Sequence, residues 1–386
     1  MENEIFKNCE KCLTFLDISY NGHLNCFKYF HSKNNYFLNE ITCEIIAKNG
    51  HLDCLEYAHT HGFPWDKWTC LSAAKNGKLD CLTYAHEQGC SWDEMTCSEA
   101  AKNGHLDCLK YAHTHGCPWD EMTSRYAAEN GHLDCLKYAH THGCPWDEFT
   151  FKLSVKNGHL NCLQYAHEHG FPMDKYTCSL AAENGHLDCL KYAHTHGCPM
   201  DKYTCSLAAE NGHLDCLEYA HTHGCPWDEW VCIYSSQNGH LDCLQYAHTH
   251  GCPWDEMTCS IAALKGNLYC FKYAVENECK WNKEKCLKYA IETNKILIVE
   301  YIKHLLNSET SETSETSETS ETSEINKDEV ADGSEISLTC NICTVNKKCV
   351  IYHPCNHLSS CWSCATQMKT CPHCRAEISK LLKVFL

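Results

Sequence analysis

The Asn-Gly pairs at Asn49, Asn76, Asn103, Asn130, Asn157, Asn184, Asn211 and Asn238 stand 27 residues apart, and no other feature limits the folds open to this chain so severely. A period of that length marks one supersecondary unit repeated in tandem, and a unit so short buries its apolar face only against its neighbours. Looser copies at Asn21-Gly22, Lys265-Gly266 and Asn294-Lys295 extend the array to about eleven units over residues 1–306. A representative unit, Asp174 to Met200, reads DKYTCSLAAENGHLDCLKYAHTHGCPM and predicts two short helices. Asp174 is a good N-cap for a first helix that turns Leu180, Ala181 and Ala182 inward and stops at Asn184-Gly185, where glycine accepts the left-handed conformation. His186 opens a second helix whose apolar face is Leu187, Leu190 and Ala193, with Cys189 and Tyr192 beside them. Asp188 lies in its first turn, at the positive end of the helix dipole. Gly197 closes it and Pro199 prevents continuation. The expected fold class is mainly α, a helical solenoid, with a small separate domain after it.

Within the repeat, the residue after Asp-Glu or Asp-Lys changes from copy to copy: Trp68, Met95, Met122, Phe149, Tyr176, Tyr203, Trp230 and Met257. Such a column either packs the first helix or reads a partner through large anchor side chains; packing is the expectation. Trp65, Trp92, Trp119, Trp146, Trp227 and Trp254 recur in most copies and are expected to be structural. The motif His-Thr-His-Gly-Cys, as at His113, His115 and Cys117, offers donors that suit zinc or copper, so a metal-storing array is a rival reading. Against it, Cys108, Cys135 and Cys189 fall on the apolar face of the second helix, and buried cysteine behaves as a small apolar residue.

The segment Ala181-Ala182-Glu183-Asn184-Gly185-His186-Leu187-Asp188, with the later His-Gly, resembles the ankyrin repeat. The departure is length, since an ankyrin unit has about 33 residues. The missing residues fall after the second helix, where ankyrins extend a β-hairpin finger and this chain has Cys-Pro-Trp-Asp. The resemblance, to short-unit families of giant DNA viruses and some protists, implies helix pairs with a stunted finger that bind other proteins through a continuous concave surface. Nothing in the repeat is catalytic in type.

The C-terminal segment holds eight donors in the order Cys340-x2-Cys343, Cys355-x-His357, Cys361-x2-Cys364 and Cys371-x2-Cys374. Two residues between paired cysteines is the spacing at which a tight turn aims both thiolates at one metal, so four pairs supply two tetrahedral zinc sites. A segment this short builds no adequate apolar core, and metal must hold it together. Cys349, His353 and His373 do not fit the pairing and read as ordinary loop residues.

The donor order resembles the RING finger, in particular the RING of inhibitor-of-apoptosis proteins. The match rests on Pro354-Cys355-Asn356-His357-Leu358, on the run Cys371 to Arg375, and on the terminus Lys383-Val384-Phe385-Leu386. Asn356 stands where that family usually has glycine. The PHD finger, a rival with eight donors, places its histidine fifth. The resemblance implies two Zn2+ ions in a cross-braced arrangement, Cys340, Cys343, Cys361 and Cys364 on one and Cys355, His357, Cys371 and Cys374 on the other; spacing alone shows only that two sites are possible. It implies a RING-type E3 ubiquitin-protein ligase that binds a ubiquitin-charged conjugating enzyme and orients its thioester, with no nucleophile of its own. Carried over position by position, Ile342, Trp362 and Pro372 form the conjugating-enzyme patch, and Arg375 is the linchpin that bonds to conjugating enzyme and ubiquitin together. Phe385 matches a tail aromatic that contacts ubiquitin held by the partner subunit of a homodimer. The repeats then recruit an unknown protein substrate. The alternative is a non-enzymatic scaffold whose zinc finger only dimerises.

Between the two regions, Ser308 to Glu324 repeats Ser-Glu-Thr with six glutamates and no apolar residue, a composition too polar to order itself. The expected organisation is a repeat array over 1–306, an acidic linker over 307–335 and the zinc domain over 336–386. A formal net charge of -18 speaks against nucleic-acid binding, which depends on neutralising phosphates. The chain has no apolar leader and no run of about 18 apolar residues, so no membrane partner is expected. Most of its 35 cysteines recur with the repeat, which favours a reducing compartment, cytoplasm or nucleus.

Overall fold

The computed structural model describes residues 14–33, 40–312, 350–353, 357–360 and 380–383. Contacts divide the chain into two compact units, Met1–Ser314 and Glu315–Leu386. Among the described residues there are 22 helices, all in the first unit, and three short strands, all in the second. The helices form eleven successive pairs, from Phe15–Asn21 with Leu24–Lys33 to Lys283–Glu292 with Ile296–Glu312. Each first helix packs on the first helices before and after it, each second helix on the neighbouring second helices, and the two members of a pair on each other. This is the expected solenoid, and no strand interrupts the described repeats.

The fourth pair, Glu94–Lys102 and Leu106–Thr114, shows why the sequence folds this way. The Asp93 carboxylate accepts from the Met95 N–H at 3.1 Å and so satisfies one of the free donors at the helix start. At the other end, the Asn103 side-chain amide donates to the Glu99 carbonyl at 2.8 Å, Gly104 turns left-handed with φ 75°, and the His105 N–H returns to the Ala100 carbonyl at 2.9 Å. The second helix ends on the motif that looked like a metal site. Thr114 Oγ1 donates to the Lys110 carbonyl at 2.8 Å, and His115 Nδ1 donates to the Tyr111 carbonyl, also at 2.8 Å. Gly116 then turns left-handed, and the Cys117 N–H reaches the Ala112 carbonyl at 2.9 Å.

Stacking depends on small side chains. Cys97, Ala100 and Ala101 of the first helix and Cys108, Leu109 and Ala112 of the second are fully buried or nearly so, and the same positions are buried along the array. Alanine and cysteine let the helix backbones approach closely, and each interface repeats the last. The apolar core consists of two clusters, one running from Ile18 to Tyr165 and one from Phe151 to Ile302, with Trp146 packed against both.

Polar ties set the register between units. His159 Nε2 donates to the Glu129 carbonyl at 2.9 Å, and His186 makes the same bond to Lys156, so the histidine after Asn-Gly caps the preceding unit's first helix. His113 Nδ1 lies 2.9 Å from the Tyr138 hydroxyl of the next unit and stacks on Trp119 at 3.8 Å between ring centroids. The recurrent tryptophans are structural, as expected: Trp65, Trp92, Trp119, Trp146, Trp227 and Trp254 all pack against the core, each with a histidine face against it.

The last helix, Ile296–Glu312, continues into the Ser-Glu-Thr segment assigned to the linker. Extending an existing helix costs far less than nucleating one, and neither glycine nor proline stands in the way.

Two predictions follow from these ties. Burial holds the imidazoles of His86, His105, His113, His140, His213 and His221 below the ordinary histidine pKa. The unfolded chain then takes up protons first, so their contribution is complete above a pH of about 6.5 and is lost as pH falls through the lower folded-state values. The urea midpoint followed by circular dichroism is expected to drop between pH 7.5 and 5.5; a flat or rising midpoint contradicts it. Second, a Cβ on Gly104 would stand 2.6 Å from His132 Nδ1, whereas one on Gly116 meets nothing within 4 Å, although both backbones are left-handed. Gly104→Ala is expected to cost more than Gly116→Ala, which carries only the backbone penalty of about 1–2 kcal/mol. Denaturant titration of the two variants compares them directly.

Candidate metal centre and recognition surface

In the C-terminal unit, three four-residue strands are described: β1, Val350–His353; β2, His357–Ser360; and β3, Lys380–Lys383. They form one antiparallel sheet in the order β2-β1-β3. The run Val350-Ile351-Tyr352 is the β-branched and aromatic type that favours a strand. β1 and β2 are a hairpin with Tyr352 opposite His357, joined through residues 354–356. His357 therefore opens β2, two residues after Cys355 in the sequence. Cys361 follows directly on the end of β2. β3 pairs with β1, from His353 opposite Lys380 to Val350 opposite Lys383, which ties the backbone leading to the apolar terminus onto the hairpin.

Of the residues expected to act, His357 alone lies among the described ones, as a backbone position in β2. Cys340, Ile342, Cys343, Cys355, Cys361, Trp362, Cys364, Cys371, Pro372, Cys374, Arg375 and Phe385 lie outside them, as does the linker from residue 313 onward. The donor chemistry suits zinc: seven thiols and one imidazole are the ligand types of structural zinc sites.

In the repeats, the donors of the His-Thr-His-Gly-Cys motif go to separate partners. His113 turns to Tyr138 of the next unit, His115 to its own helix end, and the Cys117 thiol donates to the Asp93 carbonyl at 3.2 Å. The helix thiols are buried and held protonated, Cys108 pushed up to about 11 and Cys135 and Cys189 up to about 12. Among the described residues, no three His, Cys, Asp or Glu side chains converge as a metal ion would need.

The variable column is where expectation and structure part. Trp68, Met95, Phe149, Tyr176, Tyr203, Trp230 and Met257 are between 39% and 60% exposed, so the packing reading is overturned for them; Met122 is half-buried. The inward positions of the first helix are taken by Thr96, Cys97, Ala100 and Ala101 in the fourth unit, which leaves the residue before this run on the outside. Because successive first helices adjoin, the exposed side chains form a stripe of large apolar residues along the array, and Ile41, one period before Trp68, belongs to it at 54% exposure. Cations already sit on three of its rings: Lys67 over Trp68 at 5.6 Å, Arg125 over Phe149 at 5.1 Å and Lys202 over Tyr203 at 5.7 Å. The sequence contained the signal for this surface, a position that varies while its neighbours repeat. No helix among the described residues is long and apolar enough to cross a membrane.

Comparison with known proteins agrees with the donor pattern. Residues 336–381 match the family described as zinc finger, C3HC4 type (RING finger). The putative RING finger protein 157L of Invertebrate iridescent virus 6 is 43% identical over 47 residues, which is 12% of this chain and 31% of that protein. The E3 ubiquitin-protein ligase IAP-3 of Orgyia pseudotsugata multicapsid polyhedrosis virus is 37% identical over 57 residues, 15% of this chain and 20% of the relative. The Death-associated inhibitor of apoptosis 2 of Drosophila melanogaster is 38% identical over 47 residues, 12% of this chain and 9% of the relative. The match thus spans less than a third of each relative's own length. Among solved structures, the ankyrin repeat domain of human ASB11 aligns with a TM-score of 0.38 and 18% identity, covering 41% of this chain and 84% of that one. The C-terminal segment of this chain, following an array of stacked helix pairs, is a RING finger of the C3HC4 type.

Proposed function

We infer that this chain is a RING-type ubiquitin-protein ligase whose helical array recruits a protein substrate. The observation that carries the reading is the C3HC4 match over residues 336–381, together with relatives in the same segment that include a protein named as an E3 ubiquitin-protein ligase. The family binds zinc, and two ions are proposed here. Cys340, Cys343, Cys361 and Cys364 would hold one, and Cys355, His357, Cys371 and Cys374 the other. When bound, zinc supplies folding free energy on the order of 10 kcal/mol per site and takes no part in the reaction.

The transfer needs orientation more than chemistry from this chain. Ile342, Trp362 and Pro372 lie between or beside ligands and would offer an apolar patch to a ubiquitin-conjugating enzyme. Arg375 directly follows the last ligand. Its planar fork of donors suits a bridge between carbonyl-bearing surfaces of conjugating enzyme and ubiquitin, which would hold the thioester where a lysine amine attacks it. Phe385, just beyond β3, would meet ubiquitin on the partner subunit of a dimer. Residues 307–335 would serve as the tether and residues 1–306 as the recruiting array, in a reducing compartment, cytoplasm or nucleus. The exposed stripe supports recruitment, because large aromatic side chains dominate the energetics of protein interfaces.

Two measurements test this. Elemental analysis of the purified chain is expected to give two zinc ions per molecule, whereas a much larger number supports metal storage in the repeats. In a reconstituted ubiquitin assay, Arg375→Ala should leave zinc content unchanged and reduce chain formation at least tenfold. Full activity in that variant removes the assignment of Arg375. Failure of the wild-type chain to discharge any conjugating enzyme favours a scaffold with a dimerising finger.

A further inference from the structure

The array departs from its period in several units, and one of those departures coincides with a cavity. In the sixth unit, Phe151 stands where Cys70, Cys97, Cys178 and Cys205 stand in other first helices, Val155 replaces an alanine, and Phe171 replaces the cysteine after the second helix. These larger side chains must be accommodated between Glu148–Lys156 and Lys175–Glu183, and those two first helices pack less closely than others along the array.

The cavity at this seam has a volume of about 340 Å³. Phe151 is buried at its base, Leu180 and Leu207 are half-buried in its wall, and Tyr176, a member of the exposed stripe, stands at its edge with 60% exposure. Glu148, Asp174 and Glu183 also line it, against one cation, Lys152, which is already paired with Glu148. The notch is therefore an apolar slot with a surplus of carboxylates, open at the stripe. Its size is at the lower end of ligand-binding pockets, and large enough for one big side chain.

Resting on the reading of the array as the recruiting surface, we propose that this notch anchors the protein partner by taking one large aromatic or aliphatic side chain, with a lysine or arginine beside it held by Glu183 and Asp174. Charge selects the occupant. An acidic segment would bring its carboxylates against three others in a chain of net charge -18, whereas a basic one is drawn to them. Cations resting on Trp68, Phe149 and Tyr203 show within the chain itself the contact that a basic partner would make along the stripe.

The test uses the zinc-loaded full chain and a phage-displayed library of random twelve-residue peptides. The expected consensus is a large apolar residue next to a basic one. Its synthetic peptide, measured by fluorescence anisotropy, should bind at least tenfold more weakly to Tyr176→Ser and to Glu183→Lys. Binding to Tyr203→Ser and Glu210→Lys, the same two positions one unit later, should be nearly unchanged. All four residues lie on the outside of the array or near it, and unchanged thermal midpoints exclude misfolding as the cause. An acidic consensus, no consensus, or equal losses in both pairs of variants overturns the proposal. Grafting the selected peptide onto a lysine-bearing reporter separates it from the ligase reading. Notch-dependent binding without ubiquitin transfer to reporter or to the chain itself sinks the ligase alone, and self-modification without notch-dependent binding sinks the notch alone.

Discussion

The array depends on one contact, the direct packing of each first helix on the next. That contact is possible because Ala100, Ala101, Cys97 and their equivalents present almost no bulk, and all are buried. It is placed in register by a polar bond that no isolated unit can make. A helix leaves its last carbonyls without partners, and here a histidine of the following unit, such as His159 on the Glu129 carbonyl, supplies the donor. A unit is therefore complete only when its neighbour is present, and stability passes along the chain by nearest-neighbour terms. The same register aligns the exposed residues near the start of each first helix, so the stripe is a by-product of how the core is built.

The finger meets the problem of small size differently. Three strands of four residues bury little, and the folding free energy must come from metal. Cysteine serves both solutions in opposite protonation states. In the array it is an apolar filler whose thiol is held protonated by burial, as with Cys135 at about 12. In a RING finger it is a thiolate donor. Composition alone does not separate these uses. Spacing does, since array cysteines follow the repeat period and finger cysteines come in pairs two residues apart.

What was legible beforehand had local causes. Asp at the N-cap, Asn-Gly at the stop and the Ala-Ala face each act within one turn, and the helix limits of the seventh unit, Lys175–Glu183 and Leu187–Thr195, fall where those residues place them. The donor order of the finger was legible for the same reason, because metal geometry restricts spacing directly. The exposure of Trp68 and Tyr203 was not, since it depends on how far one helix is rotated against its neighbours. The extension of the last helix to Glu312 was missed because composition describes what a segment does alone, and this one continues a helix already formed. The seam at Phe151 was hidden for a related reason: a substitution is read in its own unit, while the cavity it opens lies against Leu180 and Leu207 in the next two.

A strictly periodic surface has a weakness as a receptor. A partner that binds one unit binds the next equally well, one helix spacing of roughly 8–10 Å away, so its position along the array is undefined. In a ligase of the kind proposed above, an undefined position would mean an undefined target lysine. Specificity requires a difference in affinity between neighbouring sites, and copies as alike as Lys175–Glu183 and Lys202–Glu210, both KYTCSLAAE, offer none in their own sequence. The difference has to come from what lies beside them. The first helix preceding Lys175–Glu183 carries Phe151 and Lys152, whereas the one preceding Lys202–Glu210 is its own copy. The irregular sixth unit thus distinguishes one of two identical helices from the other.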